Sequence, residues 1–409
     1  MSQPRPGFML AGILLAAVLA TARPSGEASA IPGTRLAAAD LDTRLLDLLA
    51  RALVPGLAIA VVDHGRVVYR KAYGLADLAQ KRPLTTDTVM YGASLTKAAF
   101  AFMTLQLVEE GVLGLDTPVT ALLKKPLPEY EDFADLASDP RWRAFTPRMM
   151  LSHTTGLINW RFLNDPETLD IKFTPGSRYV YSGEGFQILQ LIVEERTGKS
   201  TTELMQTRVF DRFGMKNTSM VWRDDFAGRA TNHYDASGQA LGHNRRRRPR
   251  AAGSMDTTLD DYAAFFAGVL RGEGLSAQSL NAMLSSQIAV VSPTQFPSHW
   301  PGETTLWQGV KLGYGLGWGV YESPQGPAFF KEGSDDGTNN LALGFRNARR
   351  GVLFLSASGN TRGLFLPVVE ALYGDTCLPW SWMGFAPYDR LELMGPSARE
   401  RPVAPCRAR

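Results

Sequence analysis

The sequence predicts an α+β fold: an antiparallel sheet built from both ends of the chain, flanked by helices, with a mainly helical lobe inserted between. Three observations carry this. Strand patterns occur near residues 57–69 and again from 314 to 356, helix signals dominate between, and one short helix after Ser94 is apolar on nearly every side. The chain has 409 residues, a formal net charge of +3 and 44% hydrophobic residues, enough for a large core. The near-balanced charge argues against nucleic acid as the main partner.

The first 30 residues read as an export signal. Arg5 precedes an apolar stretch from Phe8 to Ala20, and Ala28-Ser29-Ala30 or Ala20-Thr21-Ala22 fits a small-residue cleavage site. That stretch is too short to span a membrane comfortably. The expectation is a periplasmic or secreted protein without a stable membrane span, with a domain over residues 31–384 and an irregular Pro- and Arg-rich tail over 385–409.

Leu41 to Leu53 has the period of an amphipathic helix. Leu57–Val62 and Val67–Tyr69, around Asp63-His64-Gly65, read as a hairpin. The helix from Leu95 to Val108 is apolar all round, which marks a core helix, and Gly111 provides its stop. Residues 111–250 form the expected helical lobe. Glu184–Thr197 is an amphipathic helix stopped by Gly198, followed by helix patterns at Thr202–Phe213 and Thr257–Leu270. Strands are expected at Gly315–Tyr321, Ala328–Lys331, Leu341–Phe345 and Gly351–Ser356.

Ser94 and Lys97 form the sequence's one S-x-x-K, at the start of the apolar helix. A lysine three residues after a serine lies one turn along the same helix face. Its amine can then activate the hydroxyl, a weak nucleophile by itself. The N-terminus also gathers free backbone N–H groups suited to an oxyanion. Against this stands the plain reading of a capping serine and a solvated lysine. No G-x-S-x-G elbow is present, and the five histidines have no metal-ligand spacing. The run Arg245-Arg246-Arg247-Arg248-Pro249-Arg250 reads as an exposed loop rather than a polyanion site. Cys377 and Cys406 suit an exported protein if they pair, but spacing does not show that they meet.

With Ser94-x-x-Lys97, Tyr181-Ser182-Gly183 and Lys331-Glu332-Gly333-Ser334 in this order, the chain resembles the serine β-lactamase and penicillin-binding family. The likeness is to its class C-like branch of exported serine hydrolases, and it runs from about Val54 to Asn360. Flanking phrases match as well: Leu151–Leu157, Phe210–Met215, Ala251–Ser254 and Tyr314–Trp318. The resemblance implies an acyl-enzyme on Ser94, with Lys97 and Tyr181 as coupled base and Lys331 supplying positive potential. It implies the backbone N–H groups of Ser94 and Ser334 as oxyanion hole, Gly333, Glu332 and Trp160 at the substrate, and neither metal nor organic cofactor. A phenol near two ammonium groups is expected to have a lowered pKa. Lys311-Leu312-Gly313 is a rival third motif, set aside because it precedes the Tyr314–Trp318 phrase. His153 is expected to be structural.

Two departures stand out. Gly183 replaces the family's asparagine, and Glu332 stands where a small residue is usual. Glu332, Asp335 and Asp336 would repel a substrate carboxylate, which implies neutral or amine-bearing substrates. Trp160, Phe162, Trp300 and Trp307 are candidates for lining an acyl pocket. The expected partner is a small-molecule or short-peptide substrate cleaved at an ester, amide or β-lactam bond. The alternatives are a D,D-peptidase or true β-lactamase, and a non-catalytic scaffold of the same fold. The sequence sets no oligomeric state.

Overall fold

The computed structural model describes residues 30–297, 299 and 301–389. Residues 1–29, read from the sequence as an export signal, together with Ser298, Trp300 and the tail from residue 390 with Cys406, lie outside the described residues.

A nine-stranded antiparallel sheet forms the centre. Its strands are β1 (Gly56–Asp63), β2 (Arg66–Asp77), β3 (Arg82–Pro83), β4 (Ile288–Ala289), β5 (Gly313–Tyr314), β6 (Gly319–Ser323), β7 (Gly326–Asp335), β8 (Thr338–Phe345) and β9 (Arg350–Ser356). The order across the sheet is β3-β2-β1-β9-β8-β7-β6-β5-β4. The N-terminal hairpin joins the C-terminal strands through β1 and β9, with Leu57 opposite Ser356 and Val62 opposite Gly351. Both ends of the chain thus share one sheet, as the strand patterns predict.

Strand β1 is buried at every position, because both of its faces are covered. Ala58, Ala60 and Val62 belong to one core with the helix after Ser94. Leu57, Ile59 and Val61 point into a second core with α1 (Ala38–Arg51) and the late C-terminal helix. Helix α2 (Leu95–Glu109) is buried from Leu95 through Leu107. It ends at Gly111, whose φ of +72° a left-handed stop requires. Residues 111–250 hold short helical turns and α3 (Gly183–Thr197), which is capped by the Ser182 hydroxyl and stopped by left-handed Gly198. The helix then expected at Thr202–Phe213 is α-helical at Thr201–Met205 and a π-helix at Gln206–Phe210. Helix α4 (Leu259–Arg271) starts two residues later than its periodicity suggests. Thr258 caps it, and Asp256–Thr257 pair with Met90–Tyr91. Helix α5 (Arg362–Tyr373) packs on the second core. No helix among the described residues is long and apolar enough to cross a membrane.

One strand expectation is corrected. Gly315–Trp318 is not part of a strand but a connection between β5 and β6. Leu316 N–H donates to Met283 O and Gly317 N–H to Leu151 O, so the segment bonds to other elements instead of a ladder. Gly317 has a φ of +83°, and a Cβ there would stand 2.5 Å from the Ala101 Cβ of α2. The glycines here permit a close approach to the central helix.

Gly317→Ala is therefore expected to destabilise the protein by about 2–3 kcal/mol, from backbone strain together with overpacking. Gly111→Ala shares the positive φ but has nothing within 4 Å. It should cost only about 1 kcal/mol. Urea unfolding of the two variants beside wild type checks the difference.

Candidate active site

The turn before α2 is held from two sides. Gly92 N–H donates to Met255 O at 2.8 Å, and the Asn340 carboxamide on β8 donates to Tyr91 O and Gly92 O at 2.9 and 3.2 Å. Ala93 is left-handed at φ +46°, an uncommon conformation for a residue with a Cβ. Its carbonyl is kept inside the turn by the Thr96 hydroxyl at 2.6 Å. Ser94 follows as the first residue of the helix end, half-buried, and its hydroxyl does not cap the helix. The capping alternative is therefore not what the structure contains. The hydroxyl is left for other contacts.

Lys97 lies one turn on, fully buried, with Nζ 3.1 Å from Ser94 Oγ and 2.5 Å from Ala252 O. Burial pushes its pKa well below that of an ordinary lysine, and the Lys331 charge adds to this against the opposing pull of Glu332. Lys97 is thus placed to be a neutral amine beside the hydroxyl. The Ala251–Ser254 phrase supplies the backbone that receives it. Gln190 Oε1 accepts from Ala251 N–H at 2.8 Å, and Ser254 Oγ donates to Met220 O at 2.7 Å.

Tyr181 stands against both lysines, with the amines 4.9 Å (Lys97) and 5.1 Å (Lys331) from its ring centre. The expectation of a lowered phenol pKa is corrected. Burial raises it, and the Glu332 charge adds to the rise. The Lys331 charge and hydrogen bonds to Ser94 and Lys331 do not reverse it. His153 holds this tyrosine from behind: its ring packs 4.3 Å from the Tyr181 ring and its Nδ1 accepts from Ser182 N–H at 3.1 Å. Burial, then the charges of Lys97 and Lys331, push its pKa well below the usual value, so it is a neutral prop.

Strand β7 carries the third element. Lys331 is buried, and its Nζ donates to Glu332 O at 2.7 Å and to Glu332 Oε1 at 3.0 Å. Gln295 Nε2 donates to the same carboxylate oxygen at 2.7 Å. Burial works against the Lys331 charge, but the Glu332 carboxylate and the Tyr181 oxygen together outweigh it and raise the pKa. A Cβ at Gly333 would lie 2.6 Å from Gly92 O and 3.2 Å from Ser94 N, so only glycine lets β7 reach the helix end. Ser334 comes next and lines the same cavity as Ser94. Lys311, the rival, is exposed at the end of a short 3-10 turn and does not line that cavity.

The cavity holds about 560 Å³, with Ser94, Tyr181, Glu332 and Ser334 among its lining residues. Trp160 and Phe162 line it and stack at 6.3 Å. The turn that carries them is fixed by Arg161, which donates to both oxygens of the buried Glu184 carboxylate. Trp307 is instead a core residue whose indole donates to Ser292 O. The Gly183 departure has a physical cause here. A Cβ at 183 would meet the Trp160 ring and Asn159 O, both within 3 Å. A carboxamide still lines the cavity, but from Asn159, whose Oδ1 accepts from Gly183 N–H at 3.0 Å. Sequence reasoning missed Asn159, Asn340 and Ala252 in these roles. Only Ala252 left a signal, as part of a phrase flanking the motifs.

The arginine run is an exposed loop as expected, apart from half-buried Arg246, and Arg246, Arg247, Arg248 and Arg250 also line this cavity.

Comparison with known proteins identifies the family. The family model described as Beta-lactamase matches residues 41–367. The chain is 27% identical over 377 residues to lovastatin esterase of Penicillium rubens, covering 83% of this chain and 86% of that protein. It is 32% identical over 200 residues to esterase EstB of Burkholderia gladioli, covering 42% of this chain and 49% of that one. In fold it is similar to the octameric penicillin-binding protein homologue of Pyrococcus abyssi, with a TM-score of 0.65 at 21% identity, covering 82% of this chain and 79% of the other. The chain belongs to the beta-lactamase family and is an enzyme, a serine hydrolase of the β-lactamase and penicillin-binding type.

Proposed function

We propose that the protein is an esterase that works through an acyl-enzyme on Ser94. The observation that carries this reading is the 3.1 Å contact between Ser94 Oγ and a buried amine held below the ordinary lysine pKa. The neutral Lys97 takes the Ser94 proton as Oγ attacks the ester carbonyl carbon. The oxygen that gains charge turns toward the N–H groups of Ser94 and Ser334. Tyr181, which keeps its proton because burial raises its pKa, acts as the acid rather than as a base and donates to the departing alkoxide. The Lys331 ammonium stabilises the phenolate formed, and the proton on Lys97 returns to it. Water then attacks the acyl carbonyl by the same route in reverse.

The esterase names of two relatives support ester cleavage, one of them matched over 86% of its length. D-aminopeptidases match as well, at 29–30% identity over 33–36% of their length, and keep amide cleavage as the second reading. Trp160 occupies the place of a residue-183 side chain, so the cavity's carboxamide comes from Asn159 and not from the position the D,D-peptidase and β-lactamase alternatives would use. The leader-like first 30 residues support export to the periplasm or outside.

Hydrolysis of p-nitrophenyl butyrate by wild type should fall by about 1,000-fold or more in Ser94→Ala. Equal rates in both would sink the reading. The pH profile supplies a second check. Activity needs Lys97 neutral and Lys331 charged, so it should fall as pH drops through the lowered Lys97 pKa and as pH rises through the raised Lys331 pKa. The Glu332 charge raises both values, so Glu332→Gln should move both limbs of a kcat/KM profile toward lower pH. A third check concerns space. Gly183→Asn should lose turnover of bulky acyl esters by about 10-fold or more through displacement of Trp160, since misplacing a site wall by 1 Å has costs of this order. Gly183→Asn/Trp160→Ala should recover part of it.

A further inference from the structure

The acidic residues of the third element suggested neutral or amine-bearing substrates, yet the cavity as a whole has the opposite polarity. Five arginines line it (Arg246, Arg247, Arg248, Arg250 and Arg362) against two carboxylates, Glu332 and Asp335. The Glu332 carboxylate is already engaged by Lys331 and Gln295. Asp335 receives the backbone N–H of Asp336 and forms no ion pair with the arginines among the described residues.

The loop that carries the arginines is fixed at both ends. Arg246 lies flat on Tyr91, with its guanidinium carbon 3.4 Å from the ring centre, and stands 3.7 Å from Asp256. Its carbonyl accepts from Trp222 N–H, while Arg245 lies over the Trp222 ring at 5.1 Å. Downstream, Pro249 O accepts from Gln190 and Arg250 N–H donates to the Ser254 hydroxyl. Between and beside these anchors, Arg247, Arg248 and Arg250 are exposed at the cavity with no carboxylate partner among the described residues. Some arginines elsewhere on the surface, such as Arg148, Arg208 and Arg223, are paired with an acid, and others, such as Arg44, Arg66 and Arg143, are exposed without one among the described residues. What sets Arg247, Arg248 and Arg250 apart is that they line one cavity together. Guanidinium groups crowded on one wall of a cleft repel one another and set up a positive potential that a ligand anion relieves. Trp160, Phe162 and Phe296 line the same cavity and give it an apolar part.

We propose that the substrate is an ester with an apolar portion and a terminal anionic group, a carboxylate or a phosphate, and that Arg247, Arg248 and Arg250 hold this anion away from the scissile bond. This rests on the esterase reading. The anion is received by the 244–250 loop and not by β7, where Glu332 is neutralised by Lys331 and the Asp335 carboxylate disfavours it. Arginine forks suit both oxyanions.

The test separates binding from turnover. Binding is read by calorimetry on Ser94→Ala protein, with monohexyl adipate and its neutral isostere hexyl methyl adipate as probes. The charged probe should bind about 10-fold tighter or more at low salt, and the preference should shrink at 0.5 M salt, where the Debye length is only a few ångströms. Arg247→Glu/Arg248→Glu/Arg250→Glu should abolish it. Equal affinity of wild-type-loop protein for the two probes, or a preference that survives the triple substitution, overturns the proposal. Turnover is read with p-nitrophenyl esters of monomethyl adipate, adipate and 5-phosphonopentanoate. The ratio of charged to neutral kcat/KM should exceed 1 in wild type and drop at least 10-fold in the triple variant. The larger of the two charged ratios identifies carboxylate or phosphate. The ratio is read because a partly misfolded variant lowers all rates alike. No turnover of any ester would refute the esterase reading, while the binding arm would still decide the anion proposal.

Discussion

Everything at the site depends on one costly placement, an amine buried in the first turn of an apolar helix. Lys97 has no solvent to hold its charge, and its fixed partners are a hydroxyl and a carbonyl. A desolvated lysine lowers its pKa instead of recruiting a counter-ion. The protein keeps carboxylates from repairing that deficit directly. The nearest, Glu332, is tied to Lys331, so its field reaches Lys97 only as a secondary pull. The two lysines are therefore not equivalent: burial lowers the pKa of one, and a carboxylate bonded to the other helps raise its pKa. Tyr181 packs against both amines with its pKa raised by burial, so groups of three different proton affinities share one site.

The sheet and the central helix exist in the form that this placement requires. Strand β1 is covered on both faces, which makes the interior thick enough to bury α2 along nearly its whole length. Three glycines let backbones close around its N-terminal half. Gly333 brings β7 to Ser94, Gly317 brings the β5–β6 connection to Ala101, and Gly92 fits beneath Met255. Asn340 then ties the pre-helix turn to β8 and also accepts from Ser356 N–H on β9, linking the nucleophile's turn to two central strands. The left-handed Ala93 is held by this frame rather than by its own preference.

Much of this was legible in the sequence. The hairpin, α2 and the final strands carry strong periodicity, and the ordered motifs locate Ser94, Lys97, Tyr181 and Lys331, which the fold brings together. What was not legible depends on burial and on return of the chain in space. The Tyr181 pKa direction could not be read, because two nearby ammonium groups argue for a lowered value until the depth of burial is known. Gly315–Tyr321 alternates like a strand, yet its glycines serve contact with a helix. Gly183 reads as a loss until the Trp160 ring is seen in the same space. Asn159 and Asn340 sit in no motif, and their partners are 24 and 249 residues away.

The arginine run shows the same limit most plainly. A block of like charge normally marks a solvated surface, and by exposure this one does. Its meaning changes because Arg245 and Arg246 spend their faces on Trp222 and Tyr91, and Tyr91 also belongs to the strand that leads into Ser94. A loop anchored to the nucleophile's own approach cannot be displaced from the cavity without disturbing the turn. The cluster is then a fixed wall of the site, and unpaired cations that share a cavity with aromatic side chains discriminate among esters by charge as well as by shape. In this reading Asp335 on β7 works with the arginines. It makes the strand side unfavourable for an anion and so orients a charged substrate toward the loop.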